Sequence, residues 1–306
     1  MSVLESALKT SLDELRMQML GIQVLFGFQL QGLFQDTFRE LPSSVRIVDT
    51  TALAMTICVL TLLLAVPCQH RIVERGEASR RIFRLSKRYA NYALLPLAAV
   101  ISCDIYAAMR LPFGSATSVV LACITFLIAL GAWYGAGTYL RQHDDQRPGD
   151  SPLQETKTSL HAKIEQLLTE ARVILPGAQA LLGFQLIVMM TKAFGELPAG
   201  AQRIHLVALM SLLLAVVLLI APAAIHRLAF EGCDNPRLHA VGSRILTVAL
   251  LPMICAIACD VWVALFRLKG GHVVPGVGAL MTVCLLAGFW YVLPLIVRLR
   301  IRAGPA

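Results

Sequence analysis

Apolar residues dominate long stretches of this chain, and the charged and histidine residues that interrupt them fall in a repeating order. Arg16 and Asp36 enclose 19 uncharged residues, as do Arg172 and Lys192. Asp49 to His70 encloses 20, and so does His205 to His226. Arg88 to Asp104 and Arg244 to Asp260 enclose 15 each. The last runs are longer, 30 residues from Arg110 to Arg141 and 25 from His272 to Arg298. A helix needs about 20 apolar residues to cross a hydrocarbon core of roughly 30 Å. The third run of each set reaches that length only with its aspartate inside, carried on to Met109 and Phe266. The pattern predicts an all-α integral membrane protein of eight transmembrane helices, arranged as two tandem sets of four.

The two sets repeat residue by residue at an offset of 156. Gly-Phe-Gln-Leu occurs at 27–30 and again at 183–186. Glu14 meets Glu170, Arg16 meets Arg172, Gly21 meets Gly177, Gln23 meets Gln179, and "ELP" recurs at 40–42 and 196–198. His70-Arg71 matches His226-Arg227, and Cys103-Asp104 matches Cys259-Asp260. One residue of slippage later, Trp133-Tyr134 matches Trp290-Tyr291. This is an internal duplication. Four crossings per copy is an even number, so both copies are expected to thread the bilayer the same way up, as parallel repeats. The domains are then a first four-helix repeat over 1–141, a polar linker over 142–160 containing Pro148, Gly149 and Pro152, and a second repeat over 161–306.

Composition agrees with the membrane class. The chain is 57% hydrophobic and only 15% charged, whereas soluble domains carry about 25% charged residues. The net charge of +8 matters through its placement. Twenty of the 27 Lys and Arg fall in the N-terminal arm, the loops after the second, fourth and sixth runs, and the C-terminal tail. The positive-inside rule then puts both termini and the basic loops in the cytoplasm. The densest cluster, His70 to Arg88, holds seven Lys/Arg against two Glu and reads as an orientation determinant on lipid headgroups rather than a nucleic-acid site.

Chemistry in such a protein rests on polar residues inside the spans. Asp104 and Asp260 carry the strongest signal, because an aspartate at mid-bilayer costs about 2.5–3.5 kcal/mol on insertion scales. Either they pair with Arg110 and Arg267, or they bind a cation or shuttle a proton. Gln23 and Gln179 are expected to face protein, since an amide in lipid leaves its donors and acceptor unsatisfied. They either knit helices together or line a shared pathway. Glu14, Arg16, Glu170, Arg172, His70, Arg71, His226 and Arg227 form an expected inner mouth. His70 and His226 are also candidate haem ligands, although neither Cys nor a second His recurs at ligand spacing. No metal and no cofactor is expected. His205 reads as an outer-loop residue, and Trp133, Tyr134, Trp290 and Tyr291 as interfacial anchors. No phosphate-binding loop, HExxH or GxSxG occurs, so an enzyme is not expected and there are no catalytic candidates.

A helix with "ELR", then "GxQxLxGFQL", an "ELP" end, a second helix closing in "HR" and a third with a late aspartate resembles a bacterial family of four-helix membrane proteins, domain of unknown function 6328. Both halves resemble it, from Glu14 to Arg141 and from Glu170 to Arg298. The resemblance implies that the chain is the fused form of a dimer of four-helix units. Labels such as "sodium:proton antiporter" circulate for that family and imply a transport role, but no known active site comes with them. The sequence therefore points to a channel or transporter for protons or small cations using paired intramembrane carboxylates. The alternative is a structural, sensory or assembly protein whose polar positions serve packing. Its expected partners are the lipid bilayer and a proton or small cation, with a homo-oligomer open and no nucleic acid.

Overall fold

A computed structural model describes residues 3–135, 158–228 and 234–303. Every regular element among them is helical. The first repeat contains α1 (Val3–Gly32), α2 (Ser43–Ile72), α3 (Arg80–Arg110) and α4 (Phe113–Gly135). The second contains α5 (Leu160–Met189), α6 (Ala199–Leu228), α7 (Pro236–Lys269) and α8 (Val273–Ile301). Local chemistry sets several starts. Ser79 and Ser159 accept from the backbone N–H groups of Ile82 and Ala162, and Asn235 caps α7 ahead of Pro236 at its first turn. The turns into α4 and α8 use Gly114 and Gly270, 156 residues apart, at φ 77° and 66°. That conformation strains any residue with a Cβ. The linker expected over 142–160 lies outside the described residues except for its last three.

Seven helices are long and apolar enough to cross a membrane, where the uncharged runs predict eight. The exception is α1. Gln18, Gln23, Gln29 and Gln31 dilute its hydropathy, because absence of charge is a weaker condition than apolarity. The same helix carries a stripe of Leu8, Leu12, Leu15, Met19, Ile22, Phe26 and Leu30, all nearly inaccessible. Their spacing of three and four keeps them on one face, which packs among α5, α2 and α3.

The two repeats meet along α1 and α5. Lys9 bonds Glu165, its own equivalent, at 2.5 Å. At the far end Phe28 lies 4.7 Å, centroid to centroid, from its equivalent Phe184. Nineteen residues of helix rise about 28 Å, so equivalent residues meet at two well-separated levels. Only parallel helices related by an axis along their length do that. An inverted copy would bring equivalents together at a single crossing point.

The fourth helices break this symmetry. Both return along their third helix, tied by Tyr134 Oη donating to the Asn91 carbonyl at 3.1 Å and Tyr291 Oη to the Thr247 carbonyl at 2.5 Å. Beyond that, α8 packs on α2 of the other repeat, where fully buried Trp290 donates Nε1–H to the Thr61 carbonyl at 3.2 Å. Among the described residues no comparable contact joins α4 to α6. Trp290 is thus a helix-packing residue, not an interfacial anchor.

Candidate functional site

Each third-helix aspartate is held by the glutamine of the Gly-Phe-Gln-Leu motif. Gln29 donates Nε2–H to Asp104 at 2.9 Å, and Gln185 donates to Asp260 at 2.6 Å. Where the sequence offers Arg110 and Arg267 as partners, the hydrogen bond to each carboxylate comes from an amide of the neighbouring helix. The motif's own glutamine was the informative one. Its signal was present in the exact 156-residue recurrence of Gln29 and Asp104 together, whereas periodicity on one helix singled out Gln23.

What stands beside each pair differs. The position that is Asp49 on α2 is His205 on α6. In the first repeat Asp49, Asp104 and Gln29 line a cavity of about 380 Å³. Gln29 Oε1 is buried without a hydrogen-bond partner, as Gln185 Oε1 is in the second repeat, so it is the adjoining space and not the amide that distinguishes the two sites. Two carboxylates and an amide oxygen form a hard-oxygen donor set, suited to a proton, Na⁺ or a similar cation. In the second repeat His205 Nδ1 lies 3.7 Å from Asp260 Oδ1, and its Nε2 lies 3.1 Å from the Gln185 carbonyl. His205 and Asp260 are both buried, around a space of only about 10 Å³. The second copy of the site is packed shut. His205 therefore belongs to the buried bundle and not to an outer loop, since its ring fills the place of a carboxylate. Among the described residues no three of His, Cys, Asp and Glu group together as a metal site would require.

At the opposite end of the bundle the expected inner mouth also divides. Glu170 is buried and takes both His70 and Arg71, with His70 Nδ1 on Oε1 at 2.6 Å and Arg71 Nε on Oε2 at 2.9 Å. One helix of the second repeat is thereby bound to one of the first. Glu14 and Arg16 are exposed and take no part in this cluster. Arg172, His226 and Arg227 line a separate cleft between α5 and α6.

Gln23 faces protein, packed against Gly177 of α5 so closely that a Cβ there would stand 1.5 Å from its Oε1. Its equivalent Gln179 is exposed, so the expectation that both amides face protein fails for one of them. Gly21, which Gln179 would need to approach, has nothing within 4 Å. The α1–α5 crossing is offset from true symmetry, and only one amide falls inside it.

No curated protein and no solved structure matches the chain. The model of a family of unknown function, DUF6328, matches residues 4–136 and again 154–294. The two matched segments are consistent with the tandem duplication. The chain belongs to the DUF6328 family and carries that family's unit twice in tandem.

Proposed function

We propose that this multi-pass protein takes up a proton or small cation at Asp49, Asp104 and Gln29 and passes it across the bilayer, without enzymatic chemistry. The observation carrying this reading is the cavity of about 380 Å³ lined by both carboxylates. A buried acid serving only to hold helices is better placed as Asp260 is, with every neighbour packed against it. An acid pair left beside open space is arranged for a guest. The basic loops favour a bacterial inner-membrane setting with both termini cytoplasmic, which puts this cavity toward the outer face.

A second reading, a non-transporting packing role, is favoured by the closed Gln185–Asp260–His205 site. It fits the second repeat and leaves the first repeat's cavity unused. Vesicles reconstituted with the full chain and given an imposed sodium or proton gradient distinguish the two. The wild type is expected to carry flux that falls at least about tenfold, ~1.4 kcal/mol in barrier, in Asp49→Asn/Asp104→Asn. Asp260→Asn is expected to keep the flux and melt lower. Absence of flux in the wild type, or equal flux in the double variant, removes the transport reading.

A further inference from the structure

The His-Arg pair at the end of α2 shows what such a pair binds when a partner is built in. His70 and Arg71 each take one oxygen of a single carboxylate, that of Glu170. The duplicate pair, His226-Arg227 at the end of α6, has no such partner. The acid that symmetry would supply is Glu14, which is exposed on α1. Among the described residues no carboxylate pairs with His226 or Arg227, and His226 Nε2 is buried without a hydrogen-bond partner. Arg172 joins them at the same cleft, which has a volume of about 580 Å³. Glu165, whose charge reaches Arg172, is itself bonded to Lys9 at 2.5 Å.

The remaining wall of the cleft is apolar, formed by residues that include Leu168, Leu175 and Leu219. Two guanidiniums and an imidazole beside an apolar wall make an amphipathic receptor. Guanidinium groups match the tetrahedral oxyanion of a phosphate with paired N–H donors. Basic pockets between membrane helices suit lipid headgroups for the same reason. In the first repeat the equivalent region is closed by Glu170 and by α8, whose Trp290 seats on α2. Since among the described residues α4 does not make that contact with α6, the second repeat keeps a cleft there.

We infer that Arg172, His226 and Arg227 bind the phosphate of an anionic ligand, carried by a phospholipid whose acyl chain lies along the apolar wall between α5 and α6. This site stands apart from the Asp49–Asp104 cavity and does not depend on its role.

The test is thermal unfolding of the full chain in a neutral detergent, with phosphatidylglycerol, phosphatidylcholine or inorganic phosphate added at matched ionic strength. Phosphatidylglycerol is expected to raise Tm by about 4 °C or more over phosphatidylcholine. Arg172→Gln/Arg227→Gln is expected to lose most of that rise. Should that variant fail to fold, Ala223→Leu fills the cleft from an exposed position without touching the cations, and is expected to lose the rise as well. A rise with inorganic phosphate that disappears in the same variants assigns the site to a free anion and overturns the lipid as its source. No rise in the wild type, or an undiminished rise in both variants, overturns the site itself.

Discussion

Two glycines at equivalent positions test the α1–α5 contact at the level of single atoms. A methyl group on Gly177 would meet Gln23 Oε1 at 1.5 Å and Cδ at 2.0 Å, whereas one on Gly21 would meet nothing within 4 Å. Gly177→Ala is therefore expected to destabilise by about 1–3 kcal/mol through overpacking. Gly21→Ala is expected to be neutral or stabilising by up to about 1 kcal/mol, since alanine is the better helix former. Melting both variants in one detergent checks this, and equal melting temperatures would remove the close crossing. Spacing alone could place both glycines on α1 and α5 but could not say which one lies in the crossing. A helical wheel carries no information about a displaced symmetry axis.

Between elements, the α2–α3 loop is pinned to the start of α5. Glu77 accepts from the Thr158 backbone N–H at 3.0 Å and from Lys163, while Thr158 Oγ1 accepts from the Ala78 N–H at 2.9 Å. Partial burial pushes the Glu77 carboxyl up, but the bonds from Lys163 and Thr158 and the Lys163 charge outweigh it and hold the group below the usual carboxylate range. Protonation then costs the folded state more than the unfolded one. The stability Glu77 contributes is present above its unfolded value and fades as pH falls through the lower folded one. Glu77→Gln is expected to unfold more easily than wild type at neutral pH and to converge with it only in acid, once pH has fallen through the lowered folded value. Acid-unfolding curves that stay parallel across that range would contradict this. At the same scale the helix boundaries were largely legible, since charge marks the ends of apolar runs. The nature of α1 was not: uncharged length suggested a span, while its glutamines leave it out of the seven helices apolar enough to cross a membrane.

Across the whole molecule the halves are joined asymmetrically, through the buried Glu170 cluster and through α8 on α2. Removing the carboxylate in Glu170→Ala leaves His70 and Arg71 buried without it, which is expected to cost about 3–5 kcal/mol. Glu14→Ala, at the equivalent but exposed position, is expected to change stability by less than about 0.5 kcal/mol. Chemical unfolding of the two variants in detergent measures the difference. A comparable effect in both would mean that the repeats are joined alike on the two sides.

The duplication, the helical class and the membrane setting follow from the sequence by itself, because they depend on composition and on periodic identity along one dimension. So does the choice of Asp104 and Asp260, since an acid inside an apolar run stands out wherever the chain goes. Which neighbour each acid meets was decided by the tertiary structure. Asp49 and His205 occupy equivalent positions without sharing a residue type, so a search for identities passes over them. Only packing α2 beside α3 and α6 beside α7 brings them to the acids. Likewise, two His-Arg pairs identical in sequence become a filled ion-pair site and an open cleft, because a carboxylate lies close enough to bind in one half and not in the other.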